Sequence, residues 1–168
     1  AEMTSINPYE LKRDELFSAM QSSGFLGLDE RDSWNDLFLK LFIQEVEPKI
    51  PQGVPYFIKD WPLSISTMAK RNHTNRVERF ELYVNGMEIA NGYSELLDTS
   101  EQRQRFESDN EERKASGKQT FAVDDEFLDA LSCLKGSYAG VSIGVDRLLM
   151  VLLGKDRIED VLINRNRL

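Results

Sequence analysis

The amino-acid sequence predicts an α+β fold in which helices flank an antiparallel sheet, and two features carry that prediction. Asn85-Gly86 lies between two apolar runs, which is the strongest short signal for a β-hairpin. Residues 140–147 form a glycine-rich strand that leads directly into an apolar helix. Helical patterns gather toward one end of the chain and hairpin patterns toward the other, which is typical of α+β domains.

Composition describes an ordinary globular chain. Its 168 residues are 40% apolar and 30% charged, enough for one domain with a core. The net charge of −8 argues against a broad basic surface for nucleic acid. No apolar run approaches the ~20 residues of a membrane span, and no signal peptide is visible. The single cysteine, Cys133, is expected to be a buried, reduced thiol in a cytoplasmic protein.

Capping residues and apolar spacing set the other expected elements. Asn7-Pro8 and Ser33 are helix-start signals, and Gly24 is a helix-end signal. Thr99 with Gln102 fits a capping box that starts a charged helix. The expected helices are 8–22, 34–48, 99 to about 116, 124–134 and 145–153, the last ended by Gly154. The expected strands are 55–58, 77–84, 87–91 and 138–144.

The hairpin places acidic side chains on one face of the sheet. A two-residue turn pairs Tyr83 with Glu88 and Glu81 with Ala90, so strand alternation puts all four on a solvent-facing side. Glu81 and Glu88 become diagonal neighbours about 7–8 Å apart, a spacing at which two carboxylates can bind one Mg²⁺. The alternative is a solvated face without a ligand. The opposite, core-facing side carries Phe80, Leu82, Val84, Met87 and Ile89.

Asn91, Tyr93 and Glu95 follow on the other parity of the second strand. They share the face of the two carboxylates only if the alternation breaks, and a β-bulge at Gly92 is the expected device. An asparagine and a glutamate there could bind an α-amino group or a side-chain ammonium through charge-assisted hydrogen bonds. For Glu95 the alternative is an exposed loop acid.

The glycine-rich strand and its helix suggest a nucleotide site. Gly140 and Gly144 let a ligand or a neighbouring strand approach the backbone closely. Arg147 lies in the first turn of the helix, where the helix dipole disfavours a cation. A cation placed there suits stacking on a purine or contact with phosphate oxygens, and the alternative is an ordinary strand–helix junction. His73 has no second histidine or cysteine nearby, so zinc binding or catalysis through it is not expected.

Four segments together resemble a known family: residues 79–83, 86–96, 104–106 and 140–147. They are similar to the C-terminal half of the class II lysyl-tRNA synthetase core, and residues 140–147 match motif 3 of that class. The resemblance is closer to the elongation factor P–lysine ligases, which are paralogues without an anticodon-binding domain. Two details favour this branch. Ser142 stands where the synthetases have glycine, and the tail 161–167 lacks their Phe-Pro.

The resemblance implies two segments and a set of site residues. Residues 1–50 correspond to the helical segment after motif 2, and residues 51–168 to the C-terminal part of the core. Arg147 would be the catalytic residue, stacking on adenine and reaching the γ-phosphate. The ATP-binding residues would be Arg147, Gly144, Glu81 and Glu88, with both glutamates as Mg²⁺ ligands. The amino-acid pocket would be lined by Asn91, Tyr93, Glu95, Ser142 and Gly140.

The activity that the resemblance implies is ATP-dependent activation of lysine or β-lysine as an adenylate, followed by transfer to a lysine of elongation factor P. A tRNA acceptor is less favoured, and no membrane is involved. Motifs 1 and 2 are not found in the sequence, so the chain by itself is expected to be inactive, and a homodimer would belong to the full-length protein. The alternatives are a fragment of a lysyl-tRNA synthetase and a non-catalytic, ligand-binding paralogue.

Overall fold

The computed structural model describes residues 3–66 and 68–162, which form two compact units. The first unit contains the residues up to Phe57, Leu82–Ile89 and the residues from Ile143 onward. The second unit contains Ile58–Glu81 and Ala90–Ser142. Helices combine with a four-stranded sheet, so the predicted α+β class is confirmed. The predicted assignment of residues 1–50 and 51–168 to family segments stays a prediction.

Helices and strands occur in the predicted order along the described chain. The helices are α1 (Arg13–Ser22), α2 (Trp34–Leu41), α3 (Thr99–Ala115), α4 (Asp125–Ser132) and α5 (Val145–Leu153). The strands are β1 (Pro55–Lys59), β2 (Arg79–Val84), β3 (Met87–Ser94) and β4 (Ala139–Ile143), hydrogen-bonded in the order β1-β2-β3-β4. None of the described helices combines the length and apolar character that crossing a membrane requires.

The first helix starts later than its sequence signal predicts. Asn7 caps only a 3₁₀ turn, Pro8–Glu10, and the chain then extends at Leu11, where φ is −114°. The carbonyl of Leu11 accepts a hydrogen bond from Trp34 Nε1 over 3.0 Å, so a tertiary contact takes the place of a helical one. Helix α1 begins only at Arg13.

The second helix changes its winding before its predicted end. Ser33 caps α2 as expected, since its Oγ accepts from Asp36 N over 3.1 Å. The chain then passes through a π-helical turn, Phe42–Val46, and a 3₁₀ turn, Glu47–Lys49, instead of one α-helix to residue 48. Helices α1 and α2 pack on a shared core of Ile6, Leu16, Met20, Leu37 and Leu41.

The β2–β3 hairpin is confirmed, but the buried face of β2 is the opposite of the predicted one, whereas Ile89 on β3 is buried as predicted. Asn85 and Gly86 have φ of 51° and 73°, as a type I′ turn requires. Glu81 and Tyr83, which were expected to face solvent, are each only 5% exposed. The expected core residues Phe80, Leu82 and Val84 are half-buried. The Tyr83 ring lies 6.4 Å from that of Phe42, so a distant helical segment covers this face.

The predicted break in alternation is present in β3. Ser94 N donates to Glu78 O over 2.9 Å, whereas unbroken pairing from the two-residue turn would oppose residue 78 to residue 93. One extra residue therefore lies in β3 between the turn and Ser94. The Asn91 amide is hydrogen-bonded to Glu81 on the opposing strand, so the shift is complete by Asn91, and the predicted position of the bulge at Gly92 is wrong.

Two smaller predictions are wrong. The N-cap of α3 is Asp98, whose carboxylate accepts from the backbone N–H groups of Ser100 and Glu101, and not Thr99. A carboxylate one residue earlier satisfies the helix start better than a threonine hydroxyl. Cys133 is exposed and not buried, because it lies at the C-terminal end of α4, beyond the buried Leu131.

Strand β4 is last in the strand order and is exposed along its whole length. Val141 and Ile143 keep 55% and 53% of their surface accessible. Its outer edge has no partner strand within the described part of the chain. Helix α5 follows it and ends at Gly154, which has the predicted left-handed conformation with φ of 60°. The tail 161–167, whose lack of Phe-Pro favours the ligase branch, lies largely outside the described residues.

Candidate functional site

Two backbone hydrogen bonds fix how β4 lies against β3. Glu95 N donates to Tyr138 O, and Gly144 N donates to Ile89 O, both over 2.9 Å. The two bonds share one register, so β3 and β4 pair in antiparallel fashion with no extra residue between them. The extra residue in β3 therefore disturbs its pairing with β2 and leaves its pairing with β4 intact.

This register brings the predicted amino-acid pocket together. Counting inward from the two bonds, Asn91 lies opposite Ser142, and Tyr93 lies opposite Gly140. Residues that oppose each other share a face of the sheet, and so do residues two apart on one strand. The five residues that the resemblance assigned to this pocket, Glu95 included, thus occupy one face of two adjacent strands.

A cavity of ≈ 410 Å³ opens on that face. Its volume lies in the range of small-molecule sites, roughly 300–1,000 Å³. Residues from outside the sheet line this cavity together with residues of the strands. The lining residues are Ile65, Ser66, Met68, Ala69, Arg79, Asn91, Tyr93 and Ser142.

Glu95 marks the other end of the same face. A Cβ at Gly140 would stand 3.3 Å from Glu95 Oε1, so the carboxylate lies over the glycine. Within the described residues this carboxylate forms no hydrogen bond or ion pair. Glu95 is not among the residues that line the first cavity; it lines a separate cavity of ≈ 380 Å³, beside Ser94 and Tyr138. A half-buried, uncompensated carboxylate favours a cationic ligand.

The pKa of Tyr93 reflects the charged groups on either side of it. Partial burial raises the pKa of its phenol, and the nearby Glu95 carboxylate raises that pKa further. The Arg79 guanidinium acts on the pKa of Tyr93 in the opposite direction. The phenol is therefore influenced by the Glu95 carboxylate on one side and by the Arg79 guanidinium, which is paired with Glu81, on the other.

Arg79 is a site residue that the sequence interpretation missed. Its Nη2 donates to Glu81 Oε1 over 2.6 Å, and its Nε donates to Asn91 Oδ1 over 3.2 Å. Its Nη1 donates to Ile65 O over 3.2 Å and to Ser66 Oγ over 3.1 Å. A sequence signal was available, because residues two apart on a strand share a face and Arg79 precedes Glu81 by two.

The residues of the first unit that are predicted to bind ATP also lie close to one another. Arg147 Nη1 donates to the backbone O of Glu88 over 3.0 Å and lies 3.7 Å from Glu88 Oε2. Gly144 packs against Arg147, with a Cβ position 3.5 Å from Arg147 Cδ. The Arg147 side chain is about half exposed, so its cationic fork remains accessible to an anionic ligand.

The carboxylates fit the chemistry of Mg²⁺. Carboxylate oxygens are the hard donors that Mg²⁺ prefers, and it keeps several water or phosphate ligands beside them. Glu88 is accessible enough for such a role, with 34% of its side chain exposed. Glu81 is buried and already accepts hydrogen bonds from Arg79 and Asn91, so its assignment as a ligand stays a prediction. No group of three or more histidine, cysteine or acidic side chains that could hold a metal occurs among the described residues.

Comparison with protein families gives one match over most of the chain. Residues 27–164 match the family described as tRNA synthetases class II (D, K and N). The matched range contains every residue that was assigned to the candidate site.

Individual relatives match the chain at similar identity. The chain is 39% identical over 160 residues to an elongation factor P–(R)-β-lysine ligase of Erwinia tasmaniensis, and the match covers 94% of this chain and 49% of the relative. It is 40% identical over 159 residues to the ligase of the same name from Mannheimia succiniciproducens, with the same coverage. It is 39% identical over 153 residues to a lysine–tRNA ligase of Pelotomaculum thermopropionicum, covering 89% of this chain and 30% of the relative. The chain thus spans about half the length of the first two relatives.

Proposed function

The chain belongs to the class II tRNA synthetases (D, K and N), and we propose that it forms the amino-acid-binding part of an ATP-dependent ligase that activates lysine or β-lysine as an adenylate. The acceptor in this proposal is a lysine of elongation factor P. Relatives named for both elongation factor P and tRNA match the chain, so an adenylate-forming ligase family is common to them.

The polarity of the candidate pocket carries this proposal. Asn91 lines one end of a face of β3 and β4, beside the Arg79–Glu81 ion pair, and the Glu95 carboxylate lies at the other end over Gly140. An amino acid with a cationic side chain matches that order, with its distal ammonium toward Glu95 and its α-amino and carboxylate groups toward Asn91. Tyr93 between them offers an aromatic wall for the aliphatic part of the ligand.

The proposed chemistry uses the residues of the first unit for ATP. A carboxylate oxygen of the amino acid attacks the α-phosphorus, the bond to the bridging oxygen of the β-phosphate breaks, and pyrophosphate leaves. Arg147 binds phosphate oxygens and stabilises their charge, and Gly144 keeps the backbone open for the nucleotide. Mg²⁺ bound through Glu88 would neutralise phosphate charge and orient the phosphates.

The choice of a protein acceptor rests on the resemblance to the elongation factor P–lysine ligases, and one pocket residue bears on the amino-acid substrate. Ser142 lines the cavity opposite Asn91, at the position where the synthetases that the chain resembles have glycine. A side chain there reshapes the pocket, which suits β-lysine better than lysine.

Ligand binding to the chain tests the pocket assignment. Isothermal titration should detect L-lysine or (R)-β-lysine, while L-norleucine, which replaces the side-chain ammonium by hydrogen, should bind at least tenfold more weakly. Glu95→Gln should remove that discrimination, and the distant surface variant Arg103→Gln should keep it. Equal binding of lysine and norleucine to the unaltered chain would overturn the proposal.

We further propose that these 168 residues alone do not form the adenylate. Strand β4 is last in the sheet order, and its outer edge, which lacks a partner among the described residues, suits pairing with a further strand. Pyrophosphate exchange with lysine or β-lysine should stay at background for this chain and appear in a protein as long as the ligase relatives. Exchange by the chain alone would contradict this, and ligand binding without turnover by the longer protein would favour a non-catalytic paralogue.

A further inference from the structure

We propose that Arg79 is a positioning residue of the amino-acid pocket, which holds the Asn91 amide and the Glu81 carboxylate in one relative orientation. The inference deepens the proposed function, on which it rests only for the identity of the ligand. Neither the sequence pattern nor the family resemblance assigned a role to this arginine.

Three side chains close a ring of hydrogen bonds. Arg79 donates through Nε to Asn91 Oδ1 over 3.2 Å and through Nη2 to Glu81 Oε1 over 2.6 Å. Asn91 Nδ2 completes the ring by donating to the same Glu81 Oε1 over 3.1 Å. Each contact joins a donor to an acceptor, and all three include the Arg79 guanidinium or the Glu81 carboxylate, which strengthens them.

The ring permits only one orientation of the asparagine amide. A rotation of 180° about the last side-chain bond would exchange Oδ1 and Nδ2. The amide N–H groups would then face the Arg79 N–H, and the amide oxygen would face the Glu81 carboxylate. Both contacts become repulsive, so the arginine and the glutamate together determine which way Asn91 points.

The arginine can impose this orientation because it is itself held on all sides. The guanidinium carbon lies 4.9 Å from the Trp61 ring centroid, which is a cation–π contact. Nη1 is bound to Ile65 O and Ser66 Oγ, and the side chain is 19% exposed. A lysine would bring a single charged nitrogen in place of a planar fork, so it could not keep donors on two walls of the cavity and on Glu81 together.

Hydrogen exchange of side-chain amides tests the inference without a ligand. In the ¹⁵N-labelled chain, the Asn91 amide should exchange at least about tenfold faster in Arg79→Gln and in Arg79→Lys than in the unaltered protein. Asn110 is the internal reference, since Phe121 N and Phe121 O hold its amide far from Arg79. Arg103→Gln, which removes an arginine from an exposed pair with Asp125, should change neither amide.

The reference amide separates positioning from unfolding. If Arg79→Gln also accelerates Asn110, the variant has lost its fold, and the Lys variant and its Asn110 rate then decide the result. Unchanged protection of Asn91 in a folded Arg79 variant would overturn the inference.

A double-mutant cycle asks whether Arg79 acts through Asn91. L-lysine affinity should fall about tenfold in Arg79→Gln and in Asn91→Ala, and the arginine substitution should add little in the Asn91→Ala background. An equal loss in both backgrounds would show that Arg79 acts by another route and overturn the inference. If the unaltered chain binds neither lysine nor β-lysine, the proposed function fails, while the amide-exchange measurement still decides the role of Arg79.

Discussion

Glu95 Oε1 lies 3.3 Å from the point where a Cβ on Gly140 would stand. The glycine of one strand thus provides the space that the carboxylate of the neighbouring strand occupies. A glycine in the middle of a strand weakens the sheet unless it serves a close approach, and here the close approach is that of a charged group in the candidate pocket.

Gly140→Ala should therefore disturb ligand binding more than the fold. The added methyl group meets the end of a flexible side chain, so Glu95 can move away by a few tenths of an ångström and the sheet can persist. We expect several-fold weaker binding of L-lysine, measured by titration, with a nearly unchanged thermal midpoint. A large loss of stability with unaltered affinity would contradict this account.

Gly92→Ala, in contrast, should lower the stability of the fold. A Cβ there would lie 2.8 Å from ring atoms of Phe80 and 2.9 Å from the carbonyl oxygen of Gly140. The backbone carbonyl has little freedom to move, so overpacking should destabilise the protein by about 1–3 kcal/mol in urea denaturation. Gly144→Ala is the matched control, since its nearest contact is 3.5 Å and its unfolding free energy should change little.

Glu95→Gln should lower the pKa of Tyr93. Burial raises this pKa first and the Glu95 charge second, so removing that charge leaves burial as the only cause that raises it, opposed by Arg79. Arg79→Gln should raise the Tyr93 pKa further, because Arg79 acts to lower it. The titration of ¹³Cζ-labelled tyrosine in both variants measures the two directions, and shifts of the same sign would contradict the arrangement of charges.

The raised pKa of Tyr93 also predicts a dependence of stability on pH. A group whose folded pKa exceeds its unfolded value of about 10 contributes stability below pH 10. This contribution is lost as the pH rises through the folded pKa. Tyr93→Phe should therefore show a smaller fall in its unfolding midpoint between pH 9 and 11 than the unaltered chain, measured by circular dichroism.

The Asp98 cap should make the stability of α3 fall at low pH. Hydrogen bonds from the Ser100 hydroxyl and from the backbone N–H groups of Glu101 and Ser100 lower its pKa, so the ionised carboxylate is the better cap. Its contribution is present above the unfolded pKa of about 3.9 and is lost as the pH falls through the folded pKa. Asp98→Asn keeps a capping side chain and should flatten this part of the stability profile, whereas Asp98→Ala should lower the midpoint at neutral pH.

Arg147→Ala should weaken ATP binding at least about tenfold, since a charged fork that can bind phosphate oxygens is lost. Arg157→Ala is the matched control: it removes an arginine from an exposed pair with Glu159 and should leave ATP affinity unchanged. Titration of the chain with ATP in the presence of Mg²⁺ makes the comparison. Equal losses in both variants would indicate a general effect of charge and not a site at Arg147.

The sequence was most informative where local chemistry decides the structure. A type I′ turn requires two residues with positive φ, and Asn85-Gly86 supplies both without help from any other part of the chain. Gly154 ends α5 for the same local reason. The sequence was wrong about Asn7, which caps a single turn because the Leu11 carbonyl bonds to Trp34, a residue from another helix.

The role of the candidate site stays a prediction, and its environment was only partly foreseeable. The family resemblance assigned Asn91, Tyr93 and Ser142 to one pocket, and the register of β3 and β4 puts them on one face. The role of Arg79 required knowledge of its partners Trp61 and Ile65, which lie outside the hairpin.

The sequence by itself determined the α+β class, the hairpin, the break in alternation of β3 and the family. Tertiary structure alone decided which face of the hairpin is buried. Strand alternation specifies which side chains share a face, and it contains no information about which face a distant segment will cover. Phe42 covers Tyr83, and Arg79 and Asn91 donate hydrogen bonds to Glu81. The face of β2 that carries Glu81 and Tyr83 is therefore the buried one.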